Sequence, residues 1–167
     1  MQWATAIEQA AYHDWISHRG DGEVRSTEGF VRADVPTHWK RRAVGRHVLL
    51  VTPPEGGVTV GLAPGGSGAR FHAVVSRIAR QLKRCRVLHR TAVQQNGLDG
   101  LLFEGVGMHR DVTVEWFVVV LGDARCGAVL YGVGPRSRYD AHLEAMRALV
   151  ASVRPARSSA SGVRPRV

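Results

Sequence analysis

The sequence predicts an α+β sandwich: a mostly antiparallel sheet of about seven strands, with helices on both faces and a further helix at the N-terminus. Three observations carry this. Residues 69–84 repeat apolar side chains at the period of an amphipathic helix. Residues 111–121 alternate as a strand, yet Phe117, Val119 and Leu121 make its second face apolar as well, so the sheet must be covered on both sides. Asn96-Gly97 joins two strand-like runs, and both residues tolerate the positive φ of a two-residue hairpin. With 167 residues there is room for one ordinary domain. A composition 44% hydrophobic and 22% charged fits a folded chain and excludes wholesale disorder. No apolar run approaches the ~20 residues of a membrane-spanning helix.

Trp3, Ile7, Ala11 and Trp15 recur every four residues, which predicts a helix over 2–18 that stops at His18-Arg19-Gly20. The polar stretch 20–28 reads as a linker. Phe30 to Val35 reads as a strand, ended by Pro36, which cannot donate to a ladder. His47–Thr52 and Gly57–Ala63 are strands around a Pro-Pro-Glu-Gly turn. After PGGSG (64–68), the helix 69–84 turns Phe71, Val74, Val75, Ile78, Ala79 and Leu82 to one side and Arg70, Arg77, Arg80, Lys83 and Arg84 to the other. Burying its large apolar side chains is worth about 10 kcal/mol before entropy is subtracted. Residues 86–95 and 98–108 form the hairpin strands, and 111–121 and 126–133 follow. A last helix, 137–153, has Ser137 as its N-cap and Tyr139, Leu143, Met146, Leu149, Val150 and Val153 inward. Arg154-Pro155 ends it. The chain therefore divides into an N-terminal helix and linker (1–28), an α/β domain (29–155) and a disordered basic tail (156–167).

The formal net charge is +9, and 21 of the 23 basic residues are arginine. A GC-rich genome produces that bias without any function. The distribution is more informative: residues 1–28 sum to −3, whereas 56–98 contain seven cations and no acid. Such a separated positive surface attracts acidic partners or polyanions, and salt screens it. Stacking aromatics are absent from the polar side of helix 69–84, which favours a protein partner over a nucleic acid.

Catalytic patterns are missing. PGGSG lacks the Lys-Ser/Thr of a phosphate loop, so no nucleotide is assigned. The eight histidines show no HxH or HExxH spacing, so no metal or other cofactor is expected. There is no GxSxG elbow. Cys85 and Cys126 lack CxxC spacing and stand either as buried thiols or as one bridge. The sequence reads as a protein that is not an enzyme. The first residues contain no basic leader, long apolar core or lipidation cysteine, which gives a cytoplasmic expectation.

Phe30 with Pro36-x-x-Trp39, Asn96-Gly97-Leu98-Asp99-Gly100, the long strand around Trp116 and the closing Ser152-Val153-Arg154-Pro155 together resemble the PsbP-like fold over roughly residues 29–155. That fold is shared by photosystem extrinsic subunits, a nuclear-transport factor that binds a small GTPase, and the bacterial DcrB-like proteins. Most DcrB-like proteins have a lipoprotein signal. The signal-less Eag chaperones, which shield type VI secretion effectors, are similar in compartment. The resemblance implies a binding module, hence a non-catalytic adaptor or chaperone with a protein partner, such as a secretion effector or an acidic protein. The expected docking residues are Arg70, Arg77, Arg80, Lys83 and Arg84. Trp3, Trp15 and Trp39 are expected either at a partner interface or docked on their own domain. Two alternatives stand beside this: a basic polyanion or nucleic-acid binder, and a small-ligand carrier using the cleft between sheet and helix.

Overall fold

In the computed structural model, residues 22–26, 31–44, 48–66, 68–123 and 125–156 are described, together with the backbone of 15–17. Seven antiparallel strands form the main sheet: β4 (Lys40–Val44), β5 (Val48–Thr52), β6 (Thr59–Pro64), β7 (Lys83–Gln95), β8 (Leu98–His109), β9 (Val112–Gly122) and β10 (Gly127–Pro135). Their spatial order is β4-β5-β6-β10-β9-β8-β7. A smaller antiparallel sheet runs β1 (Trp15–Ser17), β2 (Glu23–Ser26), β3 (Val31–Asp34) and β11 (Arg154–Pro155). Two helices complete the described fold, α1 (Gly68–Gln81) and α2 (Arg136–Ala151).

The two-faced strand is the reason for the layers. On β9, Val114, Trp116 and Val118 pack with Val74 and Ile78 of α1 and with Leu82 just beyond it. Phe117, Val119 and Leu121 point the other way, into a core closed by Met146 and Leu149 of α2 and by Val24, Val31 and Ala33 of the small sheet. β10 alternates likewise, with Val129 and Tyr131 toward α1, and Ala128 and Leu130 toward α2. The predicted α+β class, with a seven-stranded antiparallel sheet between helices, is therefore observed.

Several expectations change. Residues 15–17 are a strand paired with β2 rather than the end of a helix, and residues 23–26 of the expected linker are β2 itself. The rest of the expected helix, including Trp3, and the tail beyond Ala156 lie outside the described residues. The four-residue spacing of Trp15 fits a helix, but pairing with a neighbouring strand overrides so short a pattern. Lys40–Val44, for which no element is predicted, is an edge strand; an edge tolerates exposed cations that a central strand would not. The helix expected to reach residue 84 ends at Gln81, since β7 begins at Lys83 and Arg84 takes a left-handed backbone (φ 52°) that a helix cannot hold. Leu82 is still buried, so the apolar stripe outruns the helix by one residue. At the other helix, Pro135 rather than Ser137 holds the N-cap position, with no side-chain cap.

The C-terminal end of α2 is capped from far away in sequence. Asn96 Nδ2 donates to the carbonyls of Ala151 (3.0 Å) and Val153 (2.9 Å), and Gln95 Nε2 donates to that of Val150. Ser152 Oγ donates to Leu149 O at 2.6 Å. Just beyond, Arg154 forks onto Asp34 (3.0 and 3.1 Å) and reaches Glu23 at 2.9 Å, which ties β11 to β2 and β3. Glu23 is held below the usual carboxylate range chiefly by the hydrogen bond from Arg25, with Arg32 and Arg154 adding positive charge against the opposing effect of burial.

Two predictions follow from these joints. Asn96→Ala loses both carbonyl bonds and strains a backbone at φ 50°, so chemical denaturation should show a loss of about 1–3 kcal/mol. Asn96→Gly keeps the turn and should lose less. The depressed Glu23 pKa means its contribution is present above the ordinary value of 4.5 and is lost as pH falls through the folded value. Glu23→Gln should therefore be less stable at neutral pH and show a shallower fall in melting temperature on acidification through the carboxylate range.

Candidate functional site

Two regions combine exposure with chemistry. The first is the basic face. α1 presents Arg77 and Arg80 to solvent, Arg80 Nε lying 3.3 Å from Ser76 O. Arg70 is half-buried and has a partner of its own. Lys83 and Arg84 are also exposed, but they stand at the start of β7 and not on the helix. The five predicted cations thus divide between α1 and β7, and Arg86 and Arg90 continue the charge along the strand.

β7 is the last strand of the sheet, so one of its sides has no neighbour among the described strands. It is 13 residues long, and every residue from Lys83 to Ala92 except Cys85 is exposed. Val87 (57% exposed) and Leu88 (49%) are two of the three large apolar side chains most open to solvent among the described residues. The ladder to β8 shifts register between Lys83 and Arg86 and again between Val87 and His89, then runs evenly from His89 to Gln95. Arg90 lies over the Phe103 ring at 5.5 Å, which fixes its stem and leaves the strand's outer side cationic.

The second region is a cleft of about 530 Å³ between the C-terminal half of α1 and the sheet. Val74 and Ile78 line it from the helix and Leu82 from just beyond its end, Val114 and Tyr131 from the sheet, and Arg77 and Arg110 also border it. Gly61 makes room for the Tyr131 ring, since a Cβ there would stand 2.2 Å from it. Burial pushes the Tyr131 hydroxyl above its usual pKa, so it stays neutral at physiological pH.

Trp39 is buried (5% exposed) in the α2-side core and meets His142 edge-on at 6.0 Å, so it docks on its own domain. Only the backbone of Trp15 is described. Neither Cys85 nor Cys126 is in a disulfide. They pack on opposite sides of the main sheet, Cys85 toward α1 and Cys126 toward α2. Burial raises both thiol pKa values, which suppresses the thiolate that nucleophilic chemistry requires. Among the described residues no group of three His, Cys, Asp or Glu side chains is placed to hold a metal, and no helix is long and apolar enough to cross a membrane.

This layered arrangement defines a class of fold before it defines a protein. No protein-family model matches the chain, and no curated protein matches it either. Solved structures do. The solution structure of cyanobacterial PsbP (CyanoP) from Synechocystis superposes with a TM-score of 0.58 at 12% identity, covering 83% of this chain and 95% of that one. LpqN, involved in cell envelope biogenesis of Mycobacterium tuberculosis, gives 0.50 at 12% identity over 84% and 88%. A crystal structure from Bacteroides thetaiotaomicron gives 0.57 at 10% identity over 85% of this chain, which spans half of that protein. The chain has the PsbP-like fold.

The sequence found the cations through an acid-free run, but it placed them all on one helix. It missed the edge exposure of β7, Val87 and Leu88. It also missed Arg110 and Tyr131, which border the cleft from the β8–β9 turn and from β10. The thiol environment predicts that Cys85 and Cys126 react with a thiol reagent more slowly than free cysteine at mildly alkaline pH, and at the same rate once the protein is unfolded.

Proposed function

We propose that this chain is a non-catalytic protein-binding module, an adaptor or chaperone, and that an acidic, extended segment of its partner adds to the β7 edge beside α1. The observation that supports this is the edge itself: 13 residues long, exposed, with Val87 and Leu88 among Lys83, Arg84, Arg86 and Arg90. An unpaired edge offers backbone donors and acceptors to an added strand. Apolar side chains supply contact area, and the flanking cations select for acids and speed their encounter. The even ladder from His89 to Gln95 is the part best shaped to receive a strand, because the register shifts before it twist the edge. The neighbouring folds are compatible with a binding module of this kind. A protein is preferred to a nucleic acid because Phe71 and Phe103 pack on each other at 5.0 Å, which leaves few faces for stacking bases.

Selection of short random peptides on the immobilised protein tests this. The expected binders are rich in Asp and Glu, protect β7 amides from hydrogen exchange, and weaken about tenfold in Arg86→Glu/Arg90→Glu, the size of one lost charge pair of ~1.4 kcal/mol. Peptides without acidic enrichment, or protection confined to other strands, would overturn the reading. So would tighter binding of duplex DNA with a steep salt slope, which would establish the polyanion alternative.

A further inference from the structure

The cleft under α1 takes no part in the β7 reading and has a chemistry of its own. At about 530 Å³ it falls within the ~300–1,000 Å³ typical of small-molecule sites. Its walls are apolar side chains of α1, β9 and β10, and Val112 continues the apolar surface outward at 49% exposed. Arg77 comes to it from α1 and Arg110 from the β8–β9 turn, while no Asp or Glu is among the described residues that line it. Tyr131 adds a neutral phenol to the lining. An apolar trough with two cations and no anion complements a ligand with an apolar tail and one negative head.

The turn that supplies Arg110 supports the same reading. Arg110 (φ 48°) and Asp111 (φ 64°) are both left-handed, in a two-residue connection where Asn-Gly would be easy. Each non-glycine residue held there costs about 1–3 kcal/mol. Of this strained pair, Arg110 lines the cleft and Asp111 does not. His109 fixes the turn to the helix through Nδ1, 3.3 Å from Gln81 O.

We infer that this cleft binds a single-chain amphiphile with a carboxylate head, the tail lying between α1 and β9–β10 and the head taken by Arg77 and Arg110. The tail gains roughly 0.8 kcal/mol for each buried methylene, and the guanidinium groups pair with the carboxylate. The head alone and the tail alone should therefore each bind more weakly than the two joined.

Calorimetric titration with dodecanoate below its micellar range, with dodecanol and with acetate tests this. Dodecanoate should saturate one site and bind about tenfold or more tighter than dodecanol, a difference of ~1.4 kcal/mol for the head, and acetate should not register. Arg77→Gln/Arg110→Gln should reduce dodecanoate affinity about tenfold and leave dodecanol unchanged. Arg86→Gln/Arg90→Gln on β7 should change neither, which separates this site from the protein-docking edge. Val112→Asp, at an exposed position that tolerates a polar group, should weaken both ligands. No saturable dodecanoate binding, equal affinity for dodecanoate and dodecanol, or an equal effect from the β7 pair would overturn the inference.

Discussion

The fold rests on one constraint: its middle strands are apolar on both faces. Val118 and Val119 of β9 are fully buried on opposite sides of the sheet, as are Val129 and Leu130 of β10. A sheet of this kind cannot turn either side to water without exposing aliphatic surface at about 25 cal/mol per Å². Two covers are required. α2 and the small sheet provide one, and α1 provides the other. At 14 residues, α1 roofs part of its side and leaves a trough beside Tyr131, so the cleft is a by-product of unequal covers.

What could be read from the sequence follows from which features are local. The strands from 48 to 135 and both described helices were legible because each carries its own period, two or nearly four, over at least five residues. The small sheet was not, although its strand β3 falls within the strand predicted from Phe30 to Val35. Its strands have two to four residues, and they are joined by Arg154 to Asp34 and Glu23 across 120 and 131 positions, which no local pattern records. The basic character of 70–90 was legible as an acid-free run. Its division between helix and edge was not, because buried Leu82 continues the helical stripe past the end of the helix at Gln81. A cleft between helix and sheet could be anticipated from the layers, but Arg110 and Tyr131 could not be placed in it without the strand register.

Arginine at the sheet margins has a second consequence. The main sheet ends in two basic strands, β4 with Lys40, Arg41 and Arg42, and β7 with Lys83, Arg84, Arg86 and Arg90. An edge of either kind meets its own copy as a like-charged ribbon, which opposes the edge-to-edge association that long exposed strands invite. The same charge that opposes self-association is complementary to an acidic strand. Solubility and selectivity are then one property, and any substitution that neutralises β7 should affect both.

The long-range cap on α2 bears on the order in which the molecule is made. A ribosome releases Gln95 and Asn96 some 55 residues before the carbonyls they cap. The hairpin tip can therefore exist as a waiting template, and the final helix condenses onto a stop that is already in place. A nascent chain halted before that helix emerges would display the tip's amide groups and the apolar underside of the sheet together, a signature by which chaperones could tell an unfinished molecule from a finished one.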